Sequence, residues 1–467
     1  MEFKTKLLFS LALFMCLYSQ AQDNPRLKLF NQEHFFIKGA GIDNNVGLTK
    51  LELLSKSGAN AFRTWSTQNA EAKFDSAQKY NLKVALGIAV HQELHGFDYN
   101  DEEAVAQQLE EIKAQVLKYK DRPELMCWVV GNELNLLFDE KGQLALVNPK
   151  VYDALEEIIQ FIHSVDPIHP VTTTFAGINK KHVKRALERT PSLDIISFQV
   201  YGDLLVLPQR VNALNLKIPY MVTEYGAVGH WERPITPWGR EIEETSFEKG
   251  QGLAYRIQKG IVENKDPLFL GTFVFYWGQK QERTPTWYGL FTTKGESDDR
   301  IDELTKYWTG KYPKHKAPVV KSITLNGKKA VDFIVIKEEE TLTARIDAII
   351  TEEHNYRFHW ELMEEVKVKS QGGAFEQEPP LIEMKVIENK DTQITFKKEV
   401  KVKSQGGAFE QEPPLIEMKV IENKDTQITF KTPKKEGDYR LFVYVYDEKG
   451  KVGTANIPFY VGELKDL

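Results

Sequence analysis

The sequence predicts an α/β protein, a (β/α)8 TIM barrel followed by an all-β immunoglobulin-like sandwich. Eight β-rich runs alternate with helical stretches over residues 33–312, and short strands without helices follow that region. The 467 residues are enough for one large domain and a smaller second domain. The alternation therefore predicts a barrel domain at residues 22–312 and a sandwich at residues 317–463.

The eight predicted barrel strands are short runs rich in β-branched and aromatic residues. They read FFIKGAGI (35–42), ANAFRTW (59–65), KVALGIAV (83–90), MCWVVGNE (126–133), PVTTTF (170–175), DIISFQVY (194–201), PYMVTEY (219–225) and LGTFVFYW (270–277). Amphipathic helical stretches lie between them, for example at 101–120 and 151–165. An open doubly wound sheet is the alternative, but no glycine-rich phosphate-binding pattern follows the first strand.

The pattern changes at the Lys- and Pro-rich segment KYPKHKAPVV (311–320), which marks a linker. The runs after it lack a helical period and predict the strands of the immunoglobulin-like sandwich, with a hairpin turn at DEKG (447–450). No aromatic binding platform is evident in this domain. We therefore expect it to pack on the barrel as a spacer.

One segment of the sandwich occurs twice, because EVKVKSQGGAFEQEPPLIEMKVIENKDTQITFK at 365–397 is repeated without change at 399–431. Two identical copies do not make a repeat architecture, which usually has three or more units. Subtracting the period of 34 (399 − 365) from the 147 residues of 317–463 leaves 113, near the roughly 100 residues of an immunoglobulin-type sandwich. We expect one copy to supply strands and the other to lie outside the sheets, and the sequence leaves open which copy is packed.

The N-terminus has the features of a secretory signal peptide, residues 1–21. Lys4 and Lys6 precede an apolar run over residues 7–18, which is too short to span a bilayer. We therefore expect a secreted or periplasmic protein with no transmembrane segment, and association with the outer membrane stays open. After cleavage Cys127 would be the only cysteine, and its apolar strand predicts an inert buried thiol.

The net charge of −6 gives no reason to expect a nucleic-acid partner. His91 and His95 form H-x-E-x-H, which differs from the zinc-binding H-E-x-x-H pattern and has no evident third ligand. We therefore predict no metal and no cofactor. We also expect a monomer.

The ends of the predicted strands carry the residues that point to a chemistry, since functional groups of a β/α barrel lie at the carboxyl ends of its strands. Glu133 follows the fourth strand in GNE, and Glu224 ends the seventh in TEYG. Two carboxylates across one barrel mouth are suited to glycoside hydrolysis, which needs a protonated acid and an ionised nucleophile. A non-catalytic carbohydrate-binding barrel is the alternative from another class, but it would not need both glutamates.

These motifs resemble the clan of retaining β-glycosidases with β/α barrels, which includes the family 2 and family 5 enzymes. The resemblance covers roughly residues 33–310 and implies that Glu133 is the acid/base and Glu224 the nucleophile. It further implies substrate-binding or positioning roles at other strand ends, for Arg63, His91, Asn132, Gln199, Tyr201 and Trp277. Asn132 would bind the sugar 2-hydroxyl, and Trp277 would form the floor of the −1 subsite. Gln199 replaces the His of the family 5 His-x-Tyr pattern, which puts fine tuning of Glu133 in doubt.

The substrate is expected to be a polysaccharide or oligosaccharide. The domain plan resembles Bacteroidetes family 158 endo-β-1,3-glucanases, which implies a β-1,3-glucan. An exo-β-glycosidase acting on β-galactosides or β-mannosides, or a transglycosylase, stays open. Trp231 and Trp287, in the loops after strands 7 and 8, are candidate platforms for sugar rings.

Overall fold

The computed structural model describes residues 24–349, 355–367, 369, 420–424 and 426–463. These residues form a closed eight-stranded barrel followed by two four-stranded sheets. The predicted fold class, a TIM barrel followed by an all-β region, is confirmed. The predicted signal peptide lies outside the described residues.

All eight predicted barrel strands are present, and each pairs in parallel with the next, with β8 closing onto β1. They are β1 (Ile37–Ile42), β2 (Ala61–Arg63), β3 (Lys83–Ile88), β4 (Leu125–Val130), β5 (Val171–Ala176), β6 (Ile195–Gln199), β7 (Tyr220–Tyr225) and β8 (Phe269–Trp277). The strands are buried on both faces, which explains why they read as continuous apolar runs. Their carboxyl ends meet at one end of the barrel, which we call the barrel mouth.

The helices of the barrel domain surround the strands. They are α1 (Lys28–Asn31), α2 (Val46–Thr49), α3 (Leu51–Lys56), α4 (Ala70–Tyr80), α5 (Glu102–Tyr119), α6 (Lys150–Val165), α7 (Lys180–Arg189), α8 (Leu207–Asn212), α9 (Ser246–Ile257) and α10 (Asp299–Thr309). The Asp101 side chain caps α5 by accepting from the backbone N–H groups of Glu103 and Ala104 at 3.1 Å. None of the helices that the structure describes is both long and apolar enough to cross a membrane.

The barrel domain has an outer core between strands and helices and an inner core within the barrel. Cys127 belongs to the inner core and is fully buried, and its burial raises the pKa of the thiol to about 12. A thiol in this state is a poor nucleophile.

The C-terminal sheets have the strand orders β10-β16-β15-β12 and β13-β14-β11-β9. Their strands are β9 (Val319–Leu325), β10 (Val335–Ile336), β11 (Thr341–Ile349), β12 (Arg357–Glu364), β13 (Val420–Lys424), β14 (Gln427–Lys431), β15 (Gly437–Tyr446) and β16 (Val452–Val461). One apolar core includes side chains from both sheets, so the sheets pack face to face. Whether the topology is immunoglobulin-like stays a prediction.

The duplicated segment contributes to the described strands through its second copy. Strands β13 and β14 lie within residues 399–431, and β14 pairs with β11 in the antiparallel direction. Of the first copy, only residues 365–367 and 369 are described. The prediction that one copy lies outside the sheets therefore falls on residues that are not described.

The barrel and the C-terminal sheets meet at a buried polar cluster, which we call the domain junction. It consists of Glu243, Lys249, Thr284 and Thr286 of the barrel domain with Asn456 of β16. Glu243 accepts hydrogen bonds from the Thr284 and Thr286 hydroxyls at 2.6 and 2.8 Å, from Asn456 Nδ2 at 2.6 Å, and from the Lys249 ammonium. Every lone-pair region of this carboxylate thus faces a donor.

Candidate active site

The polypeptide turns sharply where β4 ends, and this turn carries Glu133 into the barrel mouth. Gly131 and Glu133 both have a positive φ, +75° and 51° respectively. A Cβ at Gly131 would lie 2.6 Å from Leu134 Cδ1, so only glycine fits there. The backbone N–H of Glu133 donates to Thr174 Oγ1 of β5 at 3.0 Å, which holds the turn against the next strand.

Glu224, the second-to-last residue of β7, accepts four hydrogen bonds from side chains. Its Oε1 accepts from Arg63 Nη1 at 3.2 Å, from Trp65 Nε1 at 2.8 Å and from Gln199 Nε2 at 2.9 Å. Its Oε2 accepts from the Tyr201 hydroxyl at 2.9 Å. The carboxylate is therefore held rigidly as an acceptor, with one oxygen more heavily engaged than the other.

The charge state of Glu224 reflects two opposing effects. Burial raises the pKa of this carboxyl, while the Arg63 guanidinium and the hydrogen bonds from Trp65 and Tyr201 lower it. All of these donors stabilise the ionised form. Glu224 is thus the carboxylate of the pair that is equipped to remain charged.

Glu133 lies in a different environment. Burial and the neighbouring charge of Glu224 raise the pKa of Glu133 to about 8, with Arg63 opposing the rise. Among the residues that the structure describes, no side chain donates a hydrogen bond to the Glu133 carboxyl group. At neutral pH Glu133 is therefore predominantly protonated, as a general acid requires.

Asn132, which precedes Glu133 in the sequence, shares two side-chain donors with Glu224. Its Oδ1 accepts from Arg63 Nη2 at 3.0 Å and from Gln199 Nε2 at 2.7 Å, and its backbone carbonyl accepts from the Gln92 side chain. These contacts orient the Asn132 Nδ2 group away from the described acceptors. An amide N–H held this way is suited to donate to a sugar hydroxyl.

The structure brings most of the predicted site residues together. The hydrogen-bonded set comprises Arg63, Asn132, Gln199, Tyr201 and Glu224. Gln199 donates to both Asn132 and Glu224 and so links the ends of β4 and β7. An amide makes these hydrogen bonds without changing its protonation state. The roles assigned to these residues stay predictions, since geometry gives only their placement.

Trp277 does not lie at the barrel mouth, which corrects the prediction that it forms the floor of the sugar site. Its side chain is fully buried in the outer core, where it donates to the Lys50 carbonyl at 3.3 Å and packs on Phe291 and Trp308. Between Ala40 and Ile42 of β1, the register on β8 advances three residues, from Val274 to Trp277. This bulge turns Trp277 to the outer face of the strand.

Phe275 takes the inward position that Trp277 was predicted to occupy. Its ring lies 5.7 Å from the ring of Trp65 and 6.0 Å from that of Tyr201, and these two residues donate to Glu224. An aromatic ring two positions earlier in LGTFVFYW was available in the sequence. Only the bulge decides which one faces the mouth.

The prediction that Trp287 is a platform for sugar rings is also wrong, because its side chain is only 1% exposed. Its indole N–H donates to the Val228 carbonyl at 3.0 Å, and its ring packs under His230. Trp231, by contrast, is 60% exposed, and its ring centroid lies 5.5 Å from that of Tyr201. Trp231 therefore remains a candidate platform.

His91 is exposed, and its ring stacks on Phe97 at 5.0 Å. Its backbone carbonyl accepts from the Tyr99 hydroxyl, and its backbone N–H donates to Gln108 Oε1. These two hydrogen bonds fix the loop after β3. Within the described part of the chain, its ring makes no hydrogen bond to Glu133 or Glu224. The expectation that it lies directly beside these groups is therefore not supported by contacts.

Sequence reasoning missed several residues of the mouth. Trp65 was not among the predicted site residues, yet its indole N–H donates to Glu224 Oε1. Lys280 and Glu282, in the loop after β8, form an ion pair whose charges both act on Glu133. Loop residues have no periodic pattern, so no signal in the sequence identified this pair. Across the described residues, no group of three or more His, Cys, Asp or Glu side chains is arranged to hold a metal ion.

A closed β/α barrel with two carboxylates at its mouth, one held by donors and the other raised in pKa, is the arrangement of a glycoside hydrolase. Residues 29–230 match the family model described as "Glycosyl hydrolases family 2, TIM barrel domain". The match supports a glycoside hydrolase barrel of the retaining β-glycosidase clan over these residues, which are fewer than half of the chain.

The chain is also similar to named proteins. It is 24% identical over 234 residues to the β-glucuronidase of Chlorocebus aethiops, covering 46% of this chain and 33% of the relative. It thus spans about one third of the length of this curated relative. Among solved structures, it is similar to a Bacteroides uniformis β-glucuronidase (14% identity, TM-score 0.48, covering 92% of this chain and 46% of that one). It is also similar to the Bifidobacterium dentium β-glucuronidase complexed with coumarin-3-O-glucuronide (19% identity, TM-score 0.47, covering 60% and 47%).

Proposed function

We propose that the protein is an exported retaining β-glycoside hydrolase that works by double displacement. The observation that carries this proposal is the contrast between Glu224, which accepts four hydrogen bonds, and Glu133, whose pKa is raised to about 8. A nucleophile and a general acid need these two opposite environments.

In the first step Glu224 attacks the anomeric carbon, and the bond to the leaving oxygen breaks as Glu133 transfers its proton to that oxygen. Oε2 of Glu224 is the oxygen that attacks, because it accepts only the Tyr201 hydroxyl while Oε1 accepts three donors. Arg63, Trp65 and Gln199 therefore position the carboxylate without blocking the attacking oxygen. The product is a covalent glycosyl ester and a free leaving group.

In the second step Glu133, now a carboxylate, accepts a proton from water as that water attacks the anomeric carbon. The ester bond breaks, Glu224 is regenerated and Glu133 is protonated again. Asn132 acts in both steps as a donor to the sugar 2-hydroxyl, since its Oδ1 is already engaged by Arg63 and Gln199. A hydrogen bond to this hydroxyl strengthens as the oxocarbenium-like transition state forms.

The proposed substrate is a β-1,3-glucan, which rests on the resemblance of the domain plan to family 158 enzymes. An exo-β-glycosidase is the second candidate, because the barrel matches family 2 and the relatives named above are β-glucuronidases. Product profiles on laminarin, mannan, galactan and mixed-linkage glucan distinguish the two. Oligosaccharides of graded length from laminarin support the first candidate, and release of terminal monosaccharide alone supports the second.

The mechanism is tested by trapping the covalent intermediate. A 2-deoxy-2-fluoro-β-glycosyl fluoride of the cleaved sugar should label Glu224, as mass spectrometry of the peptide containing it would show. Glu224→Gln is the matched control and should not be labelled. Release of the α-anomer as first product, seen by NMR, would contradict retention.

Export is tested separately by expressing the full chain in a Gram-negative host. The proposal expects the mature protein to begin after Ala21 and to appear outside the cytoplasm. An unprocessed N-terminus on active enzyme would argue against it.

A further inference from the structure

The loop between β8 and α10, residues 278–298, brings a third carboxylate close to the two at the barrel mouth. Glu282 forms an ion pair with Lys280, and their side chains are 8% and 12% exposed. Neither residue takes part in the double displacement described above. Both charges act on Glu133, and Lys280 contacts the Phe275 ring at the mouth, so the pair borders the site.

Aromatic contacts locate Lys280 relative to the reacting carboxylate. Its Nζ lies 5.4 Å from the centroid of the Phe275 ring, and Phe275 lies 6.0 Å from Tyr201 between ring centroids. The Tyr201 hydroxyl donates to Glu224 Oε2. Lys280 is thus two ring contacts away from the oxygen that attacks the sugar.

A second set of contacts locates Glu282 on the same side. Its Oε1 lies 3.7 Å from His230 Nε2, His230 lies 4.9 Å from the Trp231 ring, and Trp231 lies 5.5 Å from Tyr201. Burial and the charge of Arg283 lower the pKa of His230 to about 4, so its ring is neutral near pH 7. Glu282 therefore has Lys280 as its cationic partner and a neutral imidazole beside it.

The charges of this region are unfavourable to a further anion. Glu133 is predominantly protonated near pH 7, so the two carboxylates Glu224 and Glu282 balance the two cations Arg63 and Lys280 and leave no positive charge for an added anion. Arg63 is fully buried and already contacts Glu224 and Asn132, and Lys280 is paired with Glu282. Arg283, the next cation along the loop, lies 3.3 Å from Glu241 and faces that carboxylate.

We propose that the Lys280–Glu282 pair is a specificity-determining element that admits neutral hexosides and rejects uronosides. Glu282 accepts hydrogen bonds from sugar hydroxyl groups, and Lys280 donates to a ring or hydroxyl oxygen. A uronoside carries a carboxylate in place of the C6 hydroxymethyl group, and this would add a negative charge beside Glu282. Like charges brought together in a partly desolvated site strongly disfavour binding.

This inference rests on the proposed function and narrows its substrate class. The test uses pairs of aryl β-glycosides that differ only at C6, namely glucoside with glucuronide and galactoside with galacturonide. For wild-type enzyme we expect kcat/KM for the better neutral sugar to exceed that of its uronide by ~100-fold or more. If aryl glycosides are too short to be turned over, the same comparison is made with laminarin and with laminarin oxidised at C6.

Variants of Lys280 and Glu282 test whether this pair causes the discrimination between neutral glycosides and uronosides. Glu282→Gln removes the negative charge with little change in shape and leaves Lys280 unpaired, so the uronide-to-neutral ratio of kcat/KM should rise about tenfold or more. Adding Lys280→Met to Glu282→Gln should reverse most of that rise, because the unpaired cation is then gone. Glu296→Gln is the matched control, since Glu296 lies in the same loop but its carboxylate accepts from the Thr292 hydroxyl, and it should leave the ratio unchanged.

The outcomes separate the inference from the proposed function. Equal or faster cleavage of the uronide by wild-type enzyme would overturn the inference and leave the retaining mechanism intact. An unchanged ratio in a folded Glu282→Gln variant would also overturn it. Absence of cleavage and of covalent labelling with every glycoside would instead remove the proposed function. The wild-type comparison decides the matter even if a variant does not fold.

Discussion

Glu133 at the barrel mouth is half-buried and Glu243 at the domain junction is buried, and the groups around these two carboxyls differ. Burial raises the pKa of each carboxyl group. At the junction, the charges of Lys249 and Arg440 and four hydrogen bonds outweigh burial, so the pKa of Glu243 is lowered overall. At the mouth, the charge of Glu224 adds to burial and the pKa of Glu133 rises.

The difference teaches how a buried carboxylate is used. Glu243 is satisfied on every side, so it joins the two domains and has nothing left to give a substrate. Glu133 keeps a proton, and among the described residues no side chain donates a hydrogen bond to its carboxyl group. This group can therefore exchange its proton with a ligand. The strength of hydrogen bonding around each group, more than its burial, separates a structural carboxylate from a reactive one.

The largest effect is expected from Glu224→Gln, which replaces the proposed nucleophilic carboxylate with an amide. We expect kcat/KM to fall by ~10⁴-fold or more, because the covalent intermediate no longer forms. Steady-state kinetics on the cleaved substrate measure this, and circular dichroism checks the fold. Near wild-type activity would show that Glu224 is not the nucleophile.

A somewhat smaller effect is expected from Glu133→Gln, which removes the proton donor and leaves Glu224 in place. We expect kcat/KM to fall ~10²- to 10⁴-fold on substrates with poor leaving groups. The loss should be much smaller for a dinitrophenyl glycoside, whose leaving group needs no protonation. Equal losses on both substrates would contradict the role of general acid.

At the junction, the corresponding change is Lys249→Met, which removes the cation from Glu243. Breaking a buried ion pair should lower the free energy of unfolding by about 3–5 kcal/mol, measured by urea denaturation. The kcat/KM of the folded variant should fall far less than in the two glutamate variants, because Lys249 contacts Glu243 and the Thr286 carbonyl and no atom of Glu133 or Glu224. A stable variant with lost activity would invert the comparison between the two regions.

The last prediction concerns the dependence of stability on pH. Because the pKa of Glu133 is raised to about 8 from 4.5, its folded form keeps a proton that the unfolded form releases. This group therefore disfavours the folded state progressively as pH rises from about 4.5 to about 8. Glu133→Gln should remove that penalty, so its Tm relative to wild type should be higher at pH 8 than at pH 5. A constant difference in Tm would show that the pKa of Glu133 is not raised.

The sequence was sufficient to locate the strands and the two glutamates. An apolar run that ends in a polar residue marks the carboxyl end of a barrel strand, and GNE and TEYG both have that form. The helices at 102–119 and 150–165 followed from their amphipathic period. These features are local, and local patterns are present in the sequence.

The errors arose where local patterns do not decide. Trp277 was predicted to face the mouth from its place at a strand end, but the bulge between β1 and β8 turns it outward and presents Phe275. Trp287 was a candidate platform for sugar rings because of its place in a loop, but the loop folds back on Val228 and His230. Both outcomes depend on pairing and packing with distant segments.

The sequence by itself therefore determined the barrel, the identity of the carboxylates and the strand ends that carry them. Only the tertiary structure decided which carboxylate is held ionised, which keeps its proton, and that the charges of Lys280 and Glu282 act on Glu133. The physical reason is that a charge state depends on the burial and the donors around a group. At the barrel mouth those donors come from β2, β6 and the loops that follow them, which are far from Glu133 and Glu224 in the sequence.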